Sequence, residues 1–258
     1  MVTTIEISGY VEDMLEALVR AGIYSSKTEA IRDAVRRLVE SFDMKEVSLK
    51  AYRGGTISFQ MAVEISGVSI DELIMYFLSR DTAPGLGADA EEDVVSGLNG
   101  LREASIVVLD LSSLYAALEL NLQGTLVKFG KRFLMPTKVA ERAQALILKF
   151  SKMRGIIVSM DGIEEVKVDK NFAGFAHKNG ITVQEAQAIY VAKKSKGVLL
   201  SDDKRTRQVA RAHGVPAATT LSLLLLGKEL GVIDEQNYRL LVGRLGAIPY
   251  QIPKQYLG

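Results

Sequence analysis

The hydrophobic pattern of the C-terminal part of the chain is typical of a buried parallel sheet. Two short runs, Ile106-Val107-Val108-Leu109 and Val198-Leu199-Leu200, are continuously apolar and lack the alternation of a half-buried strand. Amphipathic helical segments such as KVAERAQALILKFSK and VQEAQAIYVAKKSKG alternate with these and other short apolar runs. This alternation predicts an α/β domain with a central parallel sheet over residues 105–258.

The N-terminal part has a different periodicity. Residues 3–8 (TTIEIS) alternate as a short strand, and two helical stripes follow within residues 10–42. Ser26 stands three residues before Glu29, which is the signature of a helix N-terminus. A strand and two helices in about forty residues cannot bury a core alone. We therefore expect residues 1–44 to form a homodimer or a higher homo-oligomer.

Residues 45–82 predict a second helical unit. Apolar residues keep helical spacing on both sides of Gly67, and Leu73 and Phe77 continue the stripe, so a helix-turn-helix is expected. The acidic stretch that follows is rich in Gly and Ala, and it predicts a linker over residues 83–104.

Charge separates the same regions. Residues 1–82 carry 9 basic and 13 acidic residues, residues 83–100 carry 4 acidic and no basic ones, and residues 101–258 carry 23 basic and 14 acidic ones. This asymmetry favours a polyanion-binding C-terminal part that the N-terminal part shields. The alternative is an incidental variation of surface charge.

Composition narrows the chemistry that the chain can perform. The chain has no cysteine and only two histidines, His177 and His213, which excludes disulfides, a thiol nucleophile and a cysteine-ligated zinc. A bound metal would be a hard cation such as Mg²⁺ or Mn²⁺, held by carboxylates. The N-terminus lacks the pattern of a signal peptide and no apolar stretch is long enough to span a bilayer, so no membrane partner and a cytoplasmic location are expected.

Acidic residues stand where such a cation would be bound. Asp110 follows the first apolar run, Asp202 and Asp203 follow the second, and Glu141 and Glu185 lie near the starts of predicted helices. Acids at the carboxyl ends of neighbouring parallel strands converge. Carboxylates that hold a divalent cation can hydrolyse a phosphodiester. Taken singly, each of these acids has an alternative interpretation as a helix cap or a solvated helix residue.

The order of these motifs resembles the PIN domain, a family of metal-dependent nucleases that supplies the toxin of VapBC-like toxin–antitoxin systems. The resemblance covers residues 105–247 and is carried by VVLDLSSLYAAL, PTKVAE, TVQEAQAIYVA and VLLSDDKRTRQVARAHGVPAATTLSLLLLGKELGVI. It implies an α/β/α fold, Mg²⁺ or Mn²⁺ and an RNA substrate. Its implied metal-binding and catalytic residues are Asp110, Glu141, Glu185 and one of Asp202 and Asp203. Lys204, Arg205, Arg207 and Arg211 are expected to contact RNA phosphates, and an exposed helix face is the alternative for these four residues. Ser112, two residues after Asp110 at a helix start, is expected to bond either Asp110 or a phosphate oxygen.

The N-terminal segment resembles the ribbon-helix-helix family over residues 2–41, most clearly in YSSKTEAIRDAVR. That resemblance implies a dimer that binds operator DNA through Thr4 on the strand and through Ser26, Lys27 and Thr28 at a helix N-terminus. Glu6 departs from the family pattern, which has a basic or neutral polar residue there, and it would face DNA phosphates unfavourably.

Residues 45–82 resemble small helix-turn-helix proteins regarded as antitoxins, and the acidic start of their second helix, SIDEL, favours an inhibitory module over a DNA reader. The sequence therefore predicts a multi-domain fusion of antitoxin-like modules with a PIN-like ribonuclease. The rival is a ribbon-helix-helix transcription regulator that uses a non-catalytic PIN fold as a platform.

Overall fold

A five-stranded parallel sheet lies at the centre of the C-terminal part. The structure is a computed structural model that describes residues 6–154, 162–248 and 250–257. The strands of the sheet are β1 (Ile106–Leu109), β2 (Arg132–Pro136), β3 (Ile163–Val166), β4 (Val198–Leu200) and β5 (Ala217–Ala218). Their spatial order is β3-β2-β1-β4-β5, so the chain reverses its direction of strand addition between β1 and β4. Ligand sites of such sheets lie at this switch point. The predicted parallel sheet is confirmed.

Helices cover both faces of this sheet. They are α6 (Glu91–Glu103), α7 (Leu111–Glu119), α8 (Gln123–Leu126), α9 (Thr137–Arg154), α10 (Ala173–Asn179), α11 (Val183–Ser195), α12 (Lys204–Ala212), α13 (Thr220–Glu229) and α14 (Glu235–Ala247), with 3₁₀ turns at Val127–Phe129 and Lys254–Tyr256. Alternate strand residues face opposite sides, so Val107 and Leu109 join one core and Val108 joins the other. The result is a three-layer α/β/α arrangement.

The described N-terminal region is helical. Its helices are α1 (Tyr10–Arg20), α2 (Lys27–Glu40), α3 (Met44–Arg53), α4 (Phe59–Ser66) and α5 (Ile70–Leu78). Helices α4 and α5 flank Gly67, whose φ of 70° is a left-handed conformation that glycine adopts without strain. Leu49, Phe59 and Phe77 are buried in the same core as one face of the sheet. The segment α3–α5, called the helical module below, therefore packs directly on the α/β domain.

Helices α1 and α2 are much less buried. No residue of α1 is buried, and Ala30 is the buried residue of α2. Ser26 caps α2 as predicted, and its hydroxyl accepts the amide of Glu29 at 3.2 Å. The predicted ribbon cannot be compared with the structure, because residues 1–5, including Thr4, lie outside the described residues. A ribbon-helix-helix identity stays a prediction.

The interpretation of residues 83–104 as a linker needs correction. Helix α6 occupies most of this segment and buries Val94, Leu98 and Leu101 in the sheet core. At Gly97 an added Cβ would lie 2.6 Å from Ser222 Oγ on α13, so the helix approaches its neighbours closely. The Gly and Ala content that suggested a flexible linker instead permits this close packing.

Candidate active site

Asp110 ends the central strand and begins the next helix. Its amide donates to the carbonyl of Leu200 on β4 at 3.2 Å, which joins the carboxyl ends of β1 and β4. As the N-cap of α7, its carboxylate accepts the amide of Ser113 at 2.9 Å and the hydroxyl of Ser112 at 2.8 Å. The hydroxyl of Ser201 donates to its second oxygen. Asp110 is only 1% exposed, so these donors replace the water that would otherwise solvate it.

Asp202 and Asp203 follow β4 and face different partners. Asp203 is the N-cap of α12, where it accepts the amide of Thr206 at 2.9 Å. Its other oxygen accepts the amide of Phe59, from the helical module, at 2.6 Å. Asp202 accepts the amide of Thr220, in the first turn of α13, at 2.8 Å and the hydroxyl of the same residue. The cap of α12 is therefore Asp203, and Asp202 binds the start of α13.

Glu185 lies in the first turn of α11 and points into the same cluster. It closes a capping box with Thr182, whose amide donates to Glu185 at 2.7 Å. The hydroxyl of Thr206 donates to Glu185 Oε1 at 2.7 Å, and the hydroxyl of Ser58 donates to Oε2 at 2.7 Å. Because Thr206 bonds both Glu185 and Asp203, the two carboxylates are immediate neighbours. We call Asp110, Glu185, Asp202 and Asp203 the acid cluster.

Glu141 is the predicted acid that the structure does not bring into the acid cluster. It is exposed on α9, whereas Val139 and Ala143 are fully buried. Residues two positions away on a helix point to nearly opposite sides, so the face that buries Val139 and Ala143 turns Glu141 toward solvent. Its predicted place in the metal site beside Asp110 and Glu185 is not supported by the geometry. No group of three or more His, Asp or Glu side chains within the described ranges is arranged to hold a metal ion.

Burial dominates the electrostatics of the acid cluster. Desolvation raises the pKa of Asp202 to about 7, against the hydrogen bonds from Thr220 that lower it. It also raises the pKa values of Asp110, Glu185 and Asp203, and the charge of Asp203 adds to the effect on Glu185. Bringing four carboxylates together without water is unfavourable unless positive charge or donors surround them.

The nearest buried cation is Arg207 on α12. It is 1% exposed and donates from Nη1 to the carbonyl of Ser201 at 3.2 Å. Its charge lowers the pKa values of Asp202 and Asp203. Arg207 was predicted to contact RNA phosphate, but its burial prevents that contact in this conformation. The side chain supports the acid cluster from inside the protein.

Three chain segments cover the acid cluster on its outer side. The N-terminus of α4 reaches it first, through the two donors described above. The amide of Gly87 then donates to the carbonyl of Asp202 at 2.8 Å, and a Cβ on this glycine would lie 2.5 Å from the carbonyl oxygen of Gln251. The C-terminal segment completes the cover, because the buried Tyr250 hydroxyl donates to the carbonyl of Ser112 at 3.0 Å.

The covered acid cluster does not fit a hydrated divalent cation. The cavity beside it, between Ser112, Asp203, Phe59 and Tyr250, has a volume of about 10 Å³, which is about the minimum for a single water molecule. Magnesium retains several of its waters when it binds protein carboxylates. The cluster oxygens also already accept hydrogen bonds from the chain. The oxygen-only donor set suits Mg²⁺ or Mn²⁺, but the closed geometry does not.

Basic residues of α12 are engaged by acidic residues before and within α6. Lys204 pairs with Asp89 and Arg211 pairs with Asp93. Arg207 Nη2 lies 3.5 Å from Asp89 and 3.4 Å from Asp93. The negative segment between residues 83 and 100 thus lies on the predicted RNA-binding helix.

Arg205 was predicted to contact RNA, and Ser112 to bond either Asp110 or a phosphate oxygen. Both have protein partners, and for Ser112 the partner is Asp110. Arg205 Nε donates to the carbonyl of Asn179 at 2.9 Å. The Ser112 hydroxyl donates to Asp110 and accepts the amide of Asp202 at 2.9 Å. Ser112 therefore positions the acid cluster in this conformation.

Three of the predicted DNA contacts, Ser26, Lys27 and Thr28, lie at the start of α2, far along the chain from the acid cluster. Ser26 caps that helix, and Thr28 is exposed beside it. Lys27 pairs with Glu12 at 3.0 Å and lies 3.5 Å from Glu16. These two acids compete with any phosphate for the Lys27 ammonium group.

Several residues of the site were not predicted from sequence. They are Ser58, Phe59, Thr206, Thr220 and Tyr250. Ser58 could have been identified as a helix N-cap, because it precedes the apolar segment FQMAV. Its contact with Glu185 has no local signal, since the two residues are 127 positions apart.

Comparison with known proteins supports the assignment of the fold. A family model described as a PIN domain matches residues 106–253, a range that contains the whole acid cluster. No curated protein matches the chain. Among the helices of the described ranges, none has the length and apolar character needed to cross a membrane.

Proposed function

The chain belongs to the PIN-domain family, and from this premise we propose that it is a ribonuclease whose acid cluster is held closed by the helical module. The observation that carries the proposal is the convergence of four buried carboxylates at the switch point of the parallel sheet. Buried carboxyl groups with raised pKa values at the ends of strands are typical of functional sites. Mg²⁺ or Mn²⁺ is the proposed cofactor of the opened cluster, because both prefer carboxylate oxygens.

The closed arrangement supports a fused antitoxin–toxin type of protein. The helical module contributes donors to Glu185 and Asp203, which are two of the four acids. The acidic residues Asp89 and Asp93 engage the basic helix α12. Two segments before β1 thus cover the acids and the cations that RNA hydrolysis would use.

Dimerisation through residues 1–44 is a further part of the proposal. Val11 on α1, Val35 and Leu38 on α2, and Phe42 just after α2 are 49–60% exposed, so this region presents apolar side chains to solvent. A second copy of the chain would bury that surface. Operator DNA is the additional partner that a ribbon-helix-helix dimer would bind.

A second candidate function is a non-catalytic regulator that uses the PIN fold as a platform. The observation that favours it is the dense internal hydrogen bonding of the acid cluster, which is also what a purely structural site would need. The two candidates differ in what happens when the helical module is displaced. Only the ribonuclease candidate predicts that RNA is then cleaved.

Gly180 offers a way to displace the helical module without altering an acid. It precedes α11 with a φ of 64°, and an added Cβ would lie 1.8 Å from the carbonyl oxygen of Thr56. Gly214 has a φ of 74° and no atom within 4 Å of an added Cβ. The variants Gly180→Ala and Gly214→Ala therefore share the backbone strain, and only the first has the clash.

The test is cleavage of a labelled single-stranded RNA by the full-length chain with Mn²⁺ or Mg²⁺. We expect Gly180→Ala to cleave at least about tenfold faster than the wild type and Gly214→Ala, a difference of about 1.4 kcal/mol in barrier. Asp110→Asn in the Gly180→Ala background is expected to abolish cleavage. If Gly180→Ala exposes residues 44–82 to protease and still cleaves no RNA, the platform function replaces the nuclease.

A further inference from the structure

A groove lies between the helical module and α9. Its volume is about 260 Å³, close to the lower end of the range of small-molecule pockets, roughly 300 Å³. Helices α4 and α5 and the turn between them supply one wall, and α9 supplies the other. The wall from the helical module lies outside residues 106–253, which match the family model. The groove is therefore a feature of this chain and not of the PIN fold alone.

A buried amide without a partner borders this groove. Gln60 on α4 is only 6% exposed, and its side chain forms no hydrogen bond with any of the described residues. Buried polar side chains nearly always have a hydrogen-bond partner, because an unpaired one has lost its water without compensation. The donor and the acceptor of the Gln60 amide are thus available to a ligand in the groove.

Most of the other side chains that line the groove are apolar. They include Val63 and Ile70 of the helical module and Leu146 of α9. Apolar walls with one amide suit a flat ligand that carries its polar groups on an edge, and a nucleobase has this form. Adenine places a donor beside an acceptor, and a glutamine amide pairs with both.

The charges of the groove favour a base over a phosphate group. Among the described residues that line it, the ionisable ones are Arg142 and Asp71, and Asp71 accepts the hydroxyl of Tyr115 at 2.9 Å. Burial raises the pKa of Glu64, and the nearby charge of Arg142 lowers it. One cation beside two acids offers little attraction to a phosphate group. Recognition therefore falls to the Gln60 amide and the apolar walls.

We propose that this groove binds a nucleobase, with adenine as the best match, and that the side-chain amide of Gln60 recognises its edge. A free nucleotide and a base of an RNA chain offer the same chemistry. Gln60, Ile70 and Leu111 also line the cavity beside the acid cluster, so an RNA base in the groove would bring its chain toward the acids. The proposal goes beyond the ribonuclease and does not depend on it, because no recognition group belongs to the acid cluster.

Two pairs of variants isolate the groove. Gln60→Met removes the amide at similar size, and Gln123→Met is its control, because Gln123 on α8 is 7% exposed and does not line the groove. Ala145 and Gln144 are neighbouring exposed residues of α9, and only Ala145 lines the groove. Ala145→Phe should therefore fill the groove, and Gln144→Phe should not. Since both α9 positions are exposed, the second pair tests the groove without a change in the core.

The experiment measures binding of AMP to the full-length chain by isothermal titration calorimetry without divalent cations. We expect Gln60→Met and Ala145→Phe to weaken AMP binding at least about tenfold, or about 1.4 kcal/mol, and both control variants to bind as the wild type does. Ribose 5-phosphate, which lacks the base, should bind at least about tenfold more weakly than AMP. Gln60→Met should not lower the urea midpoint, because it removes a buried amide that has no partner.

Competition with a short oligoadenylate identifies the source of the base. An oligoadenylate that displaces AMP assigns the groove to RNA, and one that leaves AMP bound assigns it to a free nucleotide. Equal AMP affinity in the wild type, Gln60→Met and Ala145→Phe overturns the proposal. Ribose 5-phosphate that binds as tightly as AMP, or no binding of AMP at millimolar concentration, also overturns it. A chain that binds AMP in the groove but cleaves no RNA refutes the proposed ribonuclease alone.

Discussion

Ser58 and Glu185 are 127 positions apart in the chain and are joined by a 2.7 Å hydrogen bond from the serine hydroxyl to the carboxylate. Both residues also cap helices, Ser58 for α4 and Glu185 through its capping box in α11. One bond therefore connects the start of a helix in the helical module with the start of a helix in the α/β domain. The docking of the helical module on the α/β domain therefore depends on the starts of α4 and α11, each of which fixes its own side chain.

The strength of this bond can be measured by a double-mutant cycle. Ser58→Ala and Glu185→Ala should each destabilise the chain, and the double variant should be less destabilised than the sum by about 0.5–1.5 kcal/mol, the usual contribution of one hydrogen bond. The measurement is the free energy of unfolding in urea for the four proteins. Additive effects would mean that the bond contributes nothing to the closed state.

Local patterns were sufficient to predict the parallel sheet and the strand-end acids. Continuous apolar runs identify buried parallel strands, and Asp110, Asp202 and Asp203 follow two such runs that pair in the sheet. The N-cap at Ser26 was equally local, since its partner lies three residues away. These predictions required no knowledge of which distant segments meet.

The covering of the acids could not be predicted in this way. Phe59 reaches Asp203 across 144 positions, and no period or spacing encodes that pairing. The Gly and Ala content of α6 was misleading, because it suggested a linker, whereas Gly97 allows the helix to pack closely on its neighbours. The structure does not bring Glu141 to the other acids, because the buried neighbours Val139 and Ala143 turn it toward solvent.

The burial of Asp202 predicts a characteristic pH dependence of stability. Its pKa is about 7 in the folded chain against an ordinary 3.8. Because the pKa of Asp202 is higher in the folded chain, the contribution of this carboxyl group to the free energy of unfolding is fully present below about pH 4. It is lost as the pH rises through about 7. The difference is on the order of 4 kcal/mol. Asp202→Asn keeps the shape and removes the charge, so it should be more stable than the wild type at pH 8.

Unfolding by urea at pH 5 and pH 8 provides the measurement for Asp202→Asn. The loss of stability between these values should be smaller in the variant than in the wild type. Asp234→Asn is the control, because Asp234 is an exposed N-cap of α14. An unchanged pH dependence in Asp202→Asn would show that this carboxylate does not control it.

Two glycines of α6 distinguish a packed helix from a linker. An added Cβ at Gly97 would lie 2.9 Å from Ala218 Cα, whereas at Gly100 the nearest atoms are at 3.5 Å. Gly97→Ala should therefore destabilise the chain by about 1–3 kcal/mol through overpacking. Gly100→Ala should stabilise it by about 0.5–1 kcal/mol, because alanine favours the helix. Equal shifts of the urea midpoint would contradict the packed helix.

The exposed apolar surface of α1 and α2 predicts self-association. Leu38 on α2 is 60% exposed, and Leu240 on α14 is 51% exposed. Leu38→Glu should convert a dimer into a monomer, because a buried glutamate without a partner is costly. Leu240→Glu should leave the dimer intact. Light scattering coupled to gel filtration gives the mass of each, and identical masses for the two variants would place the interface elsewhere.

Shielding of α12 by acidic residues predicts that RNA affinity is restrained electrostatically. Asp89 pairs with Lys204, whose side chain is 52% exposed, while Glu92 is exposed on the first turn of α6. Asp89→Asn should tighten binding of a labelled single-stranded RNA by about two- to fivefold at low salt, the scale of one surface ion pair. Glu92→Gln removes the same charge without freeing Lys204 and should have a smaller effect.

Fluorescence anisotropy without divalent cations measures the RNA affinity of both variants, and the tighter binding of Asp89→Asn should shrink as salt screens the phosphates. Equal affinities for the two variants would show that Asp89 does not shield this helix.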